Sequence, residues 1–145
     1  MTLRVALLDA NVIASGLIRS RSSLSAPALI LERAYASEFL VVVSHEILDE
    51  VERTLTKRYF AERISESEIE TALGWLRRRA QIVTVTEPVF GIASHPEDDF
   101  VLAAALIAKC DYLITGDTML LRLEKYEGVK IISPRDFLTL LDATL

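Results

Sequence analysis

A carboxylate recurs at comparable places in the chain. Asp9 closes the apolar run "RVALLD", Glu50 lies within "SHEILDEVERTL", Asp98 and Asp99 open "EDDFVLAAALIAK", and Asp117 follows "YLITG". Carboxylates gathered in a small, partly buried volume repel one another, and one without a partner loses its charge or destabilises the fold. No Lys or Arg occurs within the Asp9, Asp98 or Asp117 motifs themselves, so a divalent cation is the economical counter-charge. An oxygen-only donor set favours Mg²⁺ or Mn²⁺ over zinc, which prefers His and Cys. Hard cations held with open positions acidify bound water and neutralise phosphate oxygens, and ion pairs about 3.5–4 Å apart typify nucleases. The expected chemistry is phosphodiester hydrolysis by in-line attack of a metal-bound water. Asp9, Glu50, Asp98 and Asp117 would bind metal directly or through water, with Asn11 and Thr115 positioning ligands or phosphate by hydrogen bonds. His45 and His95 lack metal-motif spacing and stay outside that shell.

Singly, each acid has a plainer reading. Asp9 and Asn11 suit a turn, Asp98 and Asp99 suit a helix N-terminus, Asp117 suits a post-strand turn, and Glu50 suits a solvated helix face. The elements that carry them favour chemistry. Residues 4–9, 39–44, 81–86, 112–116 and 129–133 read as short buried strands, and residues 25–38, 44–60, 65–80, 97–109, 118–126 and 133–145 as helices. Ser25, Ser44 and Ser133 are placed as caps, Pro27 and Pro134 in first turns, and Ser65 with Glu68 as a capping box. Strands apolar on both faces, alternating with helices, predict an α/β fold: a single three-layer domain over residues 1–145 with a central, mainly parallel five-stranded sheet. In such a sheet every strand-to-helix turn opens on one edge, where ligands bind. Four strand exits would then deliver carboxylates to one rim, a convergence that independent turn residues have no reason to share.

The chain has 145 residues, 51% hydrophobic, enough for one packed core. No stretch approaches the roughly 20 apolar residues of a membrane span, the N-terminus lacks a cleavage signal, and Cys110 is the only cysteine. A reducing cytoplasm is the expected setting. A net charge of -5 argues against a wholly basic nucleic-acid surface but leaves room for local patches, such as Arg53, Lys57 and Arg58, Arg77 to Arg79, or Arg19 and Arg21.

These motifs together resemble those of the PIN-domain ribonucleases, especially the VapC-like toxins of type II toxin-antitoxin systems. "LLDANVIASG" is similar to the family's opening strand and Asp-x-Asn turn, and "SHEILDEVERTL" to its Ser-containing strand exit and acidic helix. "HPEDDFVLAAALIAKCDYLITGDTMLL" resembles its longest signature, and "VKIISPRDFL" its closing strand and helix. The resemblance spans nearly the whole chain and carries the family's acidic residues onto Asp9, Glu50, Asp98 and Asp117, with Asn11 and Thr115 in support. Asp98 is chosen over Asp99 by its register with the alanine run. The resemblance further implies a Mg²⁺- or Mn²⁺-dependent endoribonuclease acting on RNA, a homodimer, and a cognate antitoxin as partner. Two positions depart from the pattern: Met119 stands where relatives often have a further acid, weakening a second metal site, and His95 where many have Asp, which Asp99 would offset from the outer shell.

Two other readings compete. A haloacid-dehalogenase-like phosphatase also opens with a strand ending in a nucleophilic Asp, but its usual second Asp is Asn11 here, which cannot transfer a proton in the same way. A catalytically weak PIN fold that only binds RNA or a protein is kept open by Met119.

Overall fold

The computed structural model describes residues 3–18 and 25–143; Arg19 and Arg21 lie outside them. The chain runs β1 (Val5–Leu8), α1 (Ala10–Leu17), α2 (Ala26–Tyr35), β2 (Leu40–Ser44), α3 (His45–Leu55), α4 (Arg58–Ala61), α5 (Glu66–Arg79) and β3 (Gln81–Val83). It continues through α6 (Pro96–Ile107), β4 (Tyr112–Ile114), α7 (Thr118–Leu121), β5 (Lys125–Tyr126), β6 (Val129–Ile132) and α8 (Pro134–Asp142). The strands form one sheet in the order β3-β2-β1-β4-β6-β5, parallel except for the β5–β6 pair.

Alternation along a strand sends neighbouring side chains to opposite faces. Ala6, Leu7 and Leu8 of β1 and Val41, Val42 and Val43 of β2 are nevertheless all buried, so helices cover both faces of the central strands. Ser25, Ser44 and Ser133 accept hydrogen bonds from the first-turn amides of α2, α3 and α8, and Ser65 with Glu68 closes the capping box of α5, as their spacing predicts. Chain direction matters most for the site. The strands step outward from β1 through β2 to β3, then return to β4 on the other side of β1. The β1/β4 boundary is therefore the point where strand order reverses, and in open α/β sheets that crevice is where ligands sit.

The elements depart from expectation in four places. The turn expected after Asp9 is helix α1, because the Asp9 side chain caps the Ala10 amide and Val12, Ile13 and Ala14 bury an apolar face. The helix expected over residues 44–60 breaks after Leu55, where the Thr56 hydroxyl donates to the Arg53 carbonyl and the chain restarts as α4. The third strand stops at Val83. The helix expected over residues 118–126 stops at Leu121, and its last two residues form a sixth strand, β5, joined to β6 through Glu127 and Gly128 at φ 48° and 88°. Positive φ at both central residues is the two-residue hairpin geometry, and Glu is a rare first residue for it, which hid the hairpin within the sequence.

Candidate active site

Asp9 leaves β1 with its amide donating to the Ile114 carbonyl at 3.0 Å, which locks the β1 exit to the end of β4. Its carboxylate accepts from the Ala10 amide at 2.8 Å and from the Thr115 hydroxyl at 2.7 Å. Thr115 is fully buried, and the same hydroxyl oxygen accepts from the Asp117 amide at 3.0 Å. Asp117 in turn caps α7, its Oδ1 accepting from the Met119 and Leu120 amides at 2.8 and 3.1 Å. The "TGD" segment thus ends its strand on a hydroxyl that ties together two acids from the two strands flanking the crevice.

Asp9, Asn11, Glu50, Asp98 and Asp117 line a single pocket of about 390 Å³, with Arg53, His95 and Glu97 on its walls. Asp9 and Asp117 come from the strand ends, Glu50 from the second turn of α3, and Asp98 from the first turn of α6. Their crowding has an electrostatic signature. Burial pushes the Asp98 carboxyl up to about 6, reinforced by Asp117 and Asp9 and partly offset by His95. Burial also raises Asp9, opposed by its hydrogen bonds from Thr115 and Ala10, with Asp117 adding to the rise. Five carboxylates, those of Asp9, Glu50, Glu97, Asp98 and Asp117, face one arginine and one histidine.

Oxygen donors under mutual repulsion suit a hard divalent cation. Among the described residues no group of three or more His, Cys, Asp or Glu side chains is placed to hold a metal ion between them. An open arrangement is what Mg²⁺ takes, since it keeps several waters and is held by one or two carboxylates together with substrate phosphate. Asp9 and Asp117, fixed by hydrogen bonds, and Asp98, lining the same pocket, are the carboxylates of which one or two could hold such an ion.

Asp99 does something else. It is buried, and its carboxylate accepts from the Gly91, Ile92 and Ala93 amides at 3.0, 3.2 and 2.7 Å, clamping the loop that leads into α6. The supporting place expected for it beside Asp98 is corrected on that ground: it points into the loop and is absent from the pocket walls. Met119 likewise stays off the walls, its sulfur within 3.4 Å of an Arg122 guanidinium nitrogen. Four wall residues, Arg53, His95, Glu97 and Val101, escaped the sequence-based choice, and two of them, Arg53 and His95, are the charged or titratable groups that set the pocket's positive side. Arg53 lies at i+7 from Glu46 and i+3 from Glu50, so all three share one face of α3, and that spacing was the available signal. His95 is brought in as the residue preceding Pro96 of α6.

The PIN domain family matches residues 5–119 of this chain. The protein belongs to the PIN-domain family, whose members are generally nucleases. Solved structures agree on the fold. PAE2754 from Pyrobaculum aerophilum shares 16% identity at a TM-score of 0.65, over 97% of this chain and 90% of that one. VapBC2 from Rickettsia felis, bound to a DNA fragment from their promoter, shares 12% at a TM-score of 0.55, over 89% and 98%. No curated protein matches the chain.

Proposed function

We propose that this protein is a divalent-metal-dependent endoribonuclease and the toxin of a toxin-antitoxin pair. The observation that carries this reading is the single pocket holding Asp9, Glu50, Asp98 and Asp117 at the strand-order reversal of a PIN fold. Bound there, Mg²⁺ or Mn²⁺ would supply Lewis acidity to phosphate oxygens and to water. Asp9, oriented by Thr115, fixes one side of the reaction geometry, and Asp117, fixed by the first turn of α7, fixes the other. Asp98 lines the same pocket, near enough for both to raise its carboxyl pKa. Arg53 supplies the positive charge that holds the RNA backbone against an otherwise acidic wall. Asn11, exposed in the first turn of α1, donates its side-chain amide to phosphate.

A cognate antitoxin and a homodimer belong to the same reading. It is supported by the resemblance to VapC-like toxins and by the fold shared with VapBC2 of Rickettsia felis. Trp75, edge-on to Tyr35 at 4.7 Å, lines an open apolar groove of about 520 Å³ that suits a protein partner. Among the described residues no helix is long and apolar enough to cross a membrane, which accords with a cytoplasmic toxin. Membership in the PIN family leaves the phosphatase reading without support.

The test is digestion of total RNA with Mn²⁺ or Mg²⁺ and mapping of the new ends, run beside Asp9→Asn and Asp98→Asn. The parent should cut, chelator should stop it, and both variants should lose cleavage while remaining folded. Cleavage by the variants equal to the parent's would refute the assignment.

A further inference from the structure

A second, smaller cavity of about 150 Å³ opens beside the acidic pocket and shares Glu50, Arg53, Glu97 and Val101 with it. It lies between α3 and α6, and its distinctive residue is Phe100, an aromatic left 41% exposed. Its floor is rigid: Ile47 and Val101 are buried, and buried Ser44 is fixed by accepting from the Ile47 amide at 3.1 Å. The cavity is open on one side and small. That suits one planar heterocycle and is too small for a helix. Glu46, Glu50 and Glu97 around it repel an anion, so phosphate is excluded from the cavity itself and can sit only at its Arg53 edge.

We infer that this cavity is a nucleobase subsite: the base next to the scissile phosphate of single-stranded RNA stacks on Phe100, while Arg53, on the wall between the two cavities, takes the linking phosphate. This rests on the nuclease reading. Single-stranded RNA is the substrate class that can turn a base out of its stack onto an aromatic ring. The carboxylate rim accepts hydrogen bonds and gives none, so guanine, whose N1–H and N2–H₂ donate side by side to one carboxylate, is favoured over adenine, cytosine and uracil.

The experiment uses end-labelled single-stranded RNA oligomers that differ at one nucleotide, with Mn²⁺, and compares the parent with Phe100→Ala and Phe100→Trp. Stacking on one aromatic is worth about tenfold in binding, so Phe100→Ala should raise KM by about that factor with a smaller change in kcat. It should also flatten the preference among bases beside the cut, and Phe100→Trp should restore both. Independently of cleavage, titration with adenosine, cytidine, guanosine and uridine should shift the Phe100 ring resonances, guanosine most. Unchanged KM and base preference in Phe100→Ala, or a loss confined to self-association or to binding of a protein, overturns the subsite. If the parent cuts no RNA, the nuclease reading fails on its own, and the nucleoside titration decides the subsite alone: a shift at Phe100 keeps it and silence rejects it.

Discussion

Thr115 is a small residue with large leverage, because one buried hydroxyl both donates to Asp9 and accepts from the Asp117 amide. Removing such a partner of a ligand-holding carboxylate typically lowers metal affinity or activity about 10–100-fold. Thr115→Val keeps the shape and removes both bonds, so RNA cleavage should fall by about that factor while the far-ultraviolet circular dichroism stays unchanged; full activity would show that Asp9 needs no orientation. Asp98 carries a pH signature of the metal-free protein. Its folded value of about 6 lies above its ordinary 3.8, so between those values the folded state binds more protons than the unfolded. Stability therefore falls as pH rises through about 4 to 6 and stays reduced above, the reverse of the usual salt-bridged Asp. Asp98 is partly solvated, so the effect after screening is about 1 kcal/mol or less. Asp98→Asn should melt slightly above the metal-free parent at pH 8 and level with it at pH 4. A gain that is larger at pH 4 would reverse the assigned sign.

Two elements are set by contacts that the sequence pattern does not display. The loop before α6 depends on Asp99, whose buried carboxylate serves three amides, with Gly91 at φ 68° allowing the turn. Asp99→Ala leaves those amides without their acceptor, at about 1–3 kcal/mol. Denaturant unfolding should register that loss, and amide exchange should quicken at Gly91 to Ala93; protection equal to the parent's would show that the clamp is dispensable. Helices α1 and α2 meet at Gly16, where an added Cβ would sit 2.7 Å from both Leu31 Cδ1 and the Pro27 carbonyl oxygen. Because one of those atoms is backbone, Gly16→Ala should destabilise by about 1–3 kcal/mol, measurable as a lower melting temperature.

At the scale of the whole molecule, the alternation of buried strands and capped helices made legible the mainly parallel sheet and the edge on which its strand exits open. Ser44, Ser65 and Ser133 sit where short-range rules place caps, and Asp9, Asp98 and Asp117 reach one rim because the topology delivers every strand exit there. What stayed hidden was decided by side-chain direction and unusual backbone. Asp98 and Asp99 are neighbours with the same chemistry, yet the turn of α6 sends one into the pocket and the other into the loop. Glu127 at positive φ made a hairpin that residue preference disfavours. Arg53 reads as a solvated helix charge until the fold sets α3 beside α6.

The central claim is that acids remote along the chain share one pocket whose repulsion a divalent ion relieves. Thermal unfolding of the parent and of the Asp9→Asn, Asp98→Asn double variant, with and without Mn²⁺, tests it most directly. A ligand at a hundredfold its Kd adds about 2.7 kcal/mol, or roughly 5–10 °C for a chain of this size. The parent's midpoint should rise by that amount while the double variant, already relieved of two charges, stays put. A midpoint that Mn²⁺ leaves unmoved in the parent, or raises equally in both proteins, would contradict the claim.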